Sequence, residues 1–432
     1  MKRMGEAGEN SPSLGKKKKK KKWIHTRHKV IWIMAKPIVF LLARVRYGFH
    51  YQKVSRKEYR QSLVLSNHQC TYDQFFLFLS FPKPVYFIAS EAIFSKSIFG
   101  RFMCWVAAPI PIKKSTSDVR TVSNILQVVK EGGSIAIFPE GNRSYAGPPV
   151  YIKKTVANLA KKLKIRLVLY NIRGAYGVDP RWSDRIRKGR CSGEIARILE
   201  PEELKEMSVD EIYEVIVSTL GLDDHDYPQK LKAGHLAEHL ERVIYVCPKC
   251  GLSTFSGKKD LISCNGCGLT AEYQPDLSFR GIDGEFPYKN EAEWYAAQED
   301  AVRSLDRNAY LEKVAYEDEI SLYRVIPYQK AVCMSGHVKL SLYSDRLELC
   351  AVDGNVPKCI PYEEVESMTV QNANILLVFM KNSDMYRIIG NDVSYNAVKY
   401  VNFFAHYQGK GMYELTGLDC YEGEKDTEFL GL

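Results

Sequence analysis

The sequence predicts an α/β domain, then a small cysteine-clamped ribbon, then a mainly β C-terminal domain. Three observations carry this. Between Ser62 and Ile172, short apolar runs alternate with helix-like stretches, as in a sheet built from βα units. Cys247-Pro-Lys-Cys250 and Cys264-Asn-Gly-Cys267 form two C-x2-C knuckles with thirteen residues between them. Beyond a helix-like stretch from Glu291 to Leu305, runs such as VKLSLYSDRLELCAV alternate apolar and polar residues, the period of half-buried strands. At 432 residues the chain has room for two or three domains.

Residues 1–29 read as a disordered basic tail. They carry eleven Lys and Arg, seven of them in the run Lys16–Lys22, against Glu6 and Glu9. That surplus of nine accounts for nearly all of the net charge of +10, so the body is near neutral and gives no general argument for a nucleic-acid partner. Apolar content of 45% and charged content of 26% are those of a globular protein. Eleven cysteines, an odd number with no secretory signal ahead of them, point to a reducing compartment.

Val30 to Ala43, VIWIMAKPIVFLLA, is apolar but short, and Lys36 and Pro37 interrupt it. A spanning helix needs about 20 apolar residues, and no small-residue cleavage site follows. The expectation is an interfacial or re-entrant anchor. The lysines would add roughly 1 kcal/mol per charge at an anionic leaflet. The alternatives are a buried core helix beside an unrelated tail, or a tail that serves a nuclear or nucleic-acid role.

The α/β domain, with its anchor, is placed at 30–240. SLVLS (Ser62 to Ser66) is its first clear strand, DQFFLFLSF a helix, and PVYFIAS a second strand. Asp118 caps a helix with Val119, Val122, Ile125, Leu126 and Val129 on one face, and Gly132–Gly133 end it. SIAIF (Ser134 to Phe138), a helix from Lys153 to Lys164 and the strand IRLVLYNI follow. Two polar blocks stand at strand ends: NHQCTYD (Asn67 to Asp73) and FPEGNRS (Phe138 to Ser144). Open α/β sheets build their sites at the C-terminal ends of strands.

In the first block His68 can act as a general base near working pH. Asp73, bonded to the other ring nitrogen, would fix the tautomer and stabilise the imidazolium. The block offers no obvious Ser or Thr nucleophile, so the activated hydroxyl belongs to the substrate. Cys70 is a competing nucleophile, but two residues from His68 it would point away from the base. On spacing alone, His-x4-Asp better describes a structural histidine near a chance aspartate, and an ordinary turn with a surface ion pair would suit FPEGNRS standing alone.

The two blocks together resemble those of the glycerolipid acyltransferase family, typified by bacterial 1-acylglycerol-3-phosphate acyltransferase. That family pairs N-H-x4-D with a later F-P-E-G-x-R-S, and the likeness runs over roughly residues 45 to 180. It implies that Asn67, Glu140, Gly141, Arg143 and Ser144 belong to substrate binding. Gly141 would turn the chain at positive φ, and Arg143 would offer a fork to phosphate. FGRFMCWVAAPIPIKKS resembles the family's middle block, with Lys114, preceded by Lys113, where arginine is usual, and Arg101 as a second cation. The fourth block normally holds a proline in an apolar strand; RLVLYNIRG has none and receives no role.

The resemblance implies one-step O-acyl transfer from acyl-coenzyme A or an acyl-carrier protein. Lysophosphatidic acid is the expected acceptor, and glycerol 3-phosphate or another lysophospholipid the alternative. It implies phospholipid partners at the cytoplasmic face of a membrane. A reading of a different class is a nucleic-acid-binding adaptor built on tail and ribbon. The near-neutral body and a single cation in the knuckles, Lys249, argue against it, and no nucleic acid is expected.

The knuckles predict a zinc ribbon at 244–275. Four thiolates suit a closed, structural tetrahedral Zn²⁺ site, and Gly251 and Gly268 let backbone N–H groups approach the sulfurs. Redox pairs are the alternative. His235 and His239, four apart on an expected helix, read as a solvated face rather than as ligands. Residues 276–318 form a linker with a helix. Residues 319–432 read as antiparallel strands, with a turn at Ser344-Asp345 and a hairpin at Asn382-Ser383-Asp384, closed by a helix from Tyr395 to Tyr407. This pattern resembles a pleckstrin-homology or GRAM-like module, and a fold alone does not give its function.

Overall fold

The computed structural model describes residues 22–90, 98–112, 119–149, 151–326, 329, 331–351 and 356–410. Residues 1–21 of the tail, the cap Asp118, Lys113, Lys114 and the chain beyond 410 lie outside these.

The first domain runs α1 (Thr26–Tyr47), β1 (Phe49–Tyr51), β2 (Ser62–Ser66), α2 (Asp73–Ser80), β3 (Val85–Ser90), α3 (Ile98–Ala107), β4 (Ile110–Ile112), α4 (Val119–Lys130), β5 (Ser134–Ile137), α5 (Thr155–Leu163), β6 (Arg166–Arg173), α6 (Ala175–Val178), β7 (Cys191–Leu199), α7 (Pro201–Glu206) and α8 (Val209–Leu220). Its sheet has the order β1-β7-β6-β2-β5-β3-β4. The five strands from β6 to β4 are parallel, and β7 turns antiparallel to β6. The central strands are covered on both faces. Val64 packs in one layer with Phe76 and Tyr47, while Leu63 and Leu65 pack in the other with Ile125, Ala157 and Ile216. Burial on both sides explains why SLVLS reads as an unbroken apolar run. The register pairs Leu63 with Ile135 and Leu65 with Ile137. The ends of β2 and β5 therefore lie side by side at one level, and each runs directly into one polar block.

α1 extends well past the apolar fourteen and carries Pro37 in its interior. Residues 23–29, read with the tail, are ordered instead. The backbone N–H groups of Trp23 and Ile24 donate to the Glu131 carboxylate just beyond α4, and the helix starts at Thr26. Lys36 explains how a cation sits in the apolar stretch: its Nζ donates to the carbonyls of Leu79 (3.1 Å) and Phe81 (2.7 Å) at the end of α2, where cations are favoured. Trp32 Nε1 donates to the Phe81 carbonyl as well. α1 is thus bolted to the helix that begins with Asp73. Its outer face leaves Met34 69%, Ile38 65% and Val45 76% exposed. Among the described residues no helix is long and apolar enough to cross a membrane.

The ribbon comprises β8 (Val246–Cys247), β9 (Gly251–Leu252), β10 (Phe255–Lys258), β11 (Leu261–Cys264), β12 (Thr270–Tyr273) and β13 (Phe279–Gly281). β8 pairs with β9, and β10 to β13 form an antiparallel sheet. The expected helix through His235 and His239 is absent. Both Gly234 N–H and Leu236 N–H donate to the Asp260 carboxylate, which holds this stretch as a loop. His239 has φ 71°, outside helical space. His235 Nδ1 lies 2.6 Å from Glu238 and His239 Nε2 3.2 Å from Asp184.

α9 (Glu291–Arg303) leads to β14 (Tyr316–Arg324), β15 (Val332–Leu342), β16 (Arg346–Ala351), β17 (Cys359–Pro361), β18 (Val365–Gln371), β19 (Ile375–Met380), β20 (Met385–Gly390) and α10 (Val398–Tyr407). The order β17-β16-β15-β14-β20-β19-β18 is antiparallel throughout. Ser383, at φ 71°, turns the β19–β20 hairpin as expected. The three units share one continuous core, in which Trp182 of the first, Phe255 of the ribbon and Ile320 of the last are all members.

Candidate active site

Asp73 opens α2 and is fully buried. A carboxylate in a first helical turn faces N–H groups and the positive end of the helix dipole. Oδ2 accepts His68 Nδ1–H at 2.8 Å, Gln69 N–H at 2.6 Å and Cys70 N–H at 2.9 Å. Oδ1 accepts the Cys70 thiol at 3.1 Å. A carboxylate surrounded by donors assigns the proton to Nδ1. Nε2 is left as the basic lone pair. The Phe138 ring stacks on the imidazole at 4.3 Å and 18°, fixing its plane. The His68 side chain keeps 21% exposure, enough for a substrate hydroxyl to reach it.

Burial lowers the His68 pKa from its ordinary 6.5. The hydrogen bond and charge of Asp73 oppose this, and the guanidinium groups of Arg143 and Arg181 add to it. The imidazole is therefore neutral at pH 7 and able to accept a proton. Cys70 is fully buried. Burial, then the Asp73 charge, pushes its thiol well above the usual range, so it is no nucleophile.

The second block meets the first directly. His68 N–H donates to Glu140 Oε1 at 2.9 Å, and Ser144 N–H donates to the His68 carbonyl at 3.1 Å. Gly141 turns the chain at φ 66°, in the region that favours glycine. Ser144 Oγ donates to the Pro148 carbonyl and accepts Gly147 N–H. Asn67 exchanges two bonds with the Ile172 backbone on β6. Arg143 Nη1 donates to Thr71 Oγ1 at 2.9 Å. It is the one cation of the two blocks, and its side chain lies toward solvent beside His68's own loop. Asn67, Glu140 and Ser144 are buried and tie the blocks together. Arg101 lies exposed on α3.

Sequence reasoning missed the segment after β6. Asp179 Oδ2 accepts Tyr47 O–H at 3.0 Å and Thr71 N–H at 3.3 Å. Arg181 Nη1 donates to the Arg143 carbonyl at 3.1 Å. The available signal was Asp179-Pro180-Arg181, two charges flanking a proline just past a buried strand.

In the ribbon, Cys247, Cys250, Cys264 and Cys267 place their sulfurs within 4.8 Å of one another. Cys247–Cys267 and Cys250–Cys264 are both 3.6 Å apart. Four sulfurs at about 2.3 Å from a tetrahedral ion would sit about 3.8 Å apart, so the quartet fits zinc. Gly251 (φ 81°) and Gly268 (φ 76°) make the knuckle turns. Neither His235 nor His239 joins a ligand cluster among the described residues.

The Acyltransferase family model matches residues 49–172. A chloroplastic 1-acyl-sn-glycerol-3-phosphate acyltransferase of Arabidopsis thaliana is 31% identical over 127 residues, 29% of this chain and 35% of that one. One from Brassica napus is 30% identical over 126 residues, 29% and 36%. The chain thus spans about a third of the length of these relatives. The crystal structure of the 1-acyl-sn-glycerophosphate (LPA) acyltransferase PlsC from Thermotoga maritima is similar at 20% identity and TM-score 0.36, covering 44% of this chain and 77% of that one. Residues 49–172, which hold both polar blocks, match the Acyltransferase family model, and the same part of the chain is similar to plant 1-acyl-sn-glycerol-3-phosphate acyltransferases.

Proposed function

We propose that the chain transfers a fatty acyl group from a coenzyme A or carrier-protein thioester to the free hydroxyl of 1-acylglycerol 3-phosphate. The observation that carries this is the His68–Asp73 contact of 2.8 Å on the loop that Arg143 touches through Thr71. A base and a cation, each partly exposed, then lie at the same loop. His68 Nε2 removes the hydroxyl proton, and the oxygen attacks the thioester carbonyl. The C–O bond forms, the C–S bond breaks, and the imidazolium returns the proton to the leaving thiolate. Arg143 offers its guanidinium to the acceptor phosphate. No acyl-enzyme is required, which agrees with a buried Cys70.

The four cysteines would hold a structural zinc ion, which supplies cross-linking of the ribbon and no step of the transfer. The exposed apolar face of α1 would lie in the headgroup region of a cytoplasmic leaflet. Phe102 and Trp105 on α3, both more than half exposed, extend this face, because Arg27 of α1 stacks over Trp105 at 5.7 Å.

The test is thiol release from acyl-coenzyme A by the purified chain with lysophosphatidate, other lysophospholipids and glycerol 3-phosphate as acceptors. General-base catalysis is worth about 10²–10⁴ in rate, so His68→Ala should lose about that factor with an unchanged melting curve. Near-normal turnover in folded His68→Ala would end the assignment, and lysophosphatidate ranking below glycerol 3-phosphate would change the acceptor.

A further inference from the structure

Arg181 is a buried cation with no carboxylate to answer it. It is 3% exposed, and among the described residues no Asp or Glu lies within ion-pair distance of it. Its charge is met by three main-chain carbonyls and one ring. Nε donates to Asn372 at 2.6 Å, Nη1 to Arg143 at 3.1 Å and Nη2 to Val370. The Tyr145 ring centroid lies 4.2 Å from Cζ.

Two of those carbonyls belong to the end of β18 and the turn into β19, in the C-terminal domain. The third is the main chain of the residue proposed to grip the acceptor. Asn372 holds φ 55°, the left-handed turn from β18 into β19. A second tie runs beside the first: Asn142 Nδ2 lies 3.4 Å from Thr369 Oγ1 and 3.5 Å from the Val370 carbonyl. Asn142 is the variable position of FPEG-x-R-S. Two residues before Arg181, Asp179 accepts Thr71 N–H, and Thr71 Oγ1 accepts from Arg143. Asp179 and Arg181 therefore touch both catalytic blocks and the β domain.

A buried guanidinium has five donors and no acceptor, and each donor left without a partner is costly. The β18–β19 turn cannot move off Arg181 without stranding it, and Arg181 cannot follow the turn without leaving Arg143. We propose that Arg181 is a positioning residue and that the β18–β19 hairpin is a working part of the acceptor site. It sets where Arg143 presents its guanidinium to the anionic group of the acceptor. The choice of substrate rests on the acyltransferase reading; the mechanical linkage rests on geometry alone.

The test uses the full chain with Arg181→Met, which keeps the stem and removes all three hydrogen bonds, and Arg181→Lys, which keeps the charge. Amide hydrogen exchange should quicken in 139–146 and 368–375 together in Arg181→Met, by about tenfold or more, and stay unchanged in α5. The KM for lysophosphatidate should rise about tenfold with the KM for acyl-coenzyme A within about twofold, and Arg181→Lys should recover part of it. If Arg181→Met does not fold, Asn142→Ala should show the same paired exchange, smaller. Exchange that rises in one segment alone, or a fall in kcat with the acceptor KM unmoved, overturns the proposal. A wild-type chain that acylates no lysophospholipid refutes the acyltransferase reading, while the exchange result still decides the linkage.

Discussion

Asp73→Asn isolates the charge of the carboxylate from its shape. Asparagine can place its carbonyl oxygen where Oδ2 now receives His68 Nδ1–H and the N–H groups of Gln69 and Cys70, with its NH₂ toward the Cys70 sulfur. The geometry and the His68 tautomer can therefore persist, and the lost term is attraction to the imidazolium that forms in the transition state. Unit charges 4 Å apart interact by about 4 kcal/mol at an effective dielectric of 20. The partial exposure of His68 screens this, leaving about 2–4 kcal/mol. At 1.36 kcal/mol per decade that is a fall in kcat/KM of about 30- to 1000-fold. The assay is thiol release from acyl-coenzyme A with lysophosphatidate, beside a thermal melt. The pH profile supplies the sign. Burial depresses the wild-type imidazole, so it stays neutral below pH 6.5 and the plateau of kcat/KM extends there, falling only through the lowered pKa. The Asp73 charge raises that pKa, so in Asp73→Asn the acid limb should move to still lower pH. A folded Asp73→Asn chain within about threefold of wild type, or an acid limb that moves upward, refutes the reasoning.

Other outcomes follow from the same geometry. Elemental analysis should find one zinc per chain. Cys247→Ser with Cys264→Ser should lose it and melt the ribbon, since structural zinc binding is worth about 10–16 kcal/mol; a metal-free chain with an ordered ribbon counts against the site. Gly141→Ala forces a Cβ onto φ 66° at about 1–2 kcal/mol, and should lower both the melting temperature and turnover. Met34→Glu with Ile38→Glu should cut co-sedimentation with anionic vesicles at least tenfold, since each buried apolar side chain contributes about 1.5–3 kcal/mol. Both side chains are about two-thirds exposed, so the melting curve should hardly move; undiminished sedimentation would remove α1 from the membrane.

Strand ends and motif blocks were legible in the sequence because both are local. SLVLS and SIAIF are short apolar runs bounded by polar residues, and the parallel register that aligns Leu65 with Ile137 follows from two such runs feeding one sheet. Glycine turns were legible for the same reason: Gly141, Gly251 and Gly268 all take positive φ. The loop at 234–239 was not, because its cause is the Asp260 carboxylate more than twenty residues away; histidines four apart carry a helical signal only while nothing captures the backbone. Lys36 misled similarly. Read as a break in an apolar stretch, it is the residue that fixes α1 to α2, through carbonyls that no local pattern announces.

Arg181 is the extreme case, because its partners are main-chain oxygens, which any residue supplies. A side chain whose hydrogen bonds all go to carbonyls leaves no complementary charged residue to find elsewhere in the chain. Composition therefore showed three separable units, whereas the contacts weld them through Arg181, Arg187 and Arg242. Arg187 stacks over the Tyr273 ring of the ribbon at 5.5 Å, and Arg242 donates to Asp184 and to Val393 of the β domain. Two of these arginines lie in the short run that follows Asp179, the residue that also braces the His68 loop through Thr71. By the proposed linkage, displacement of the β18–β19 turn relative to the first domain reaches Arg143 through Arg181. An appended module joined by a flexible linker would lack that property.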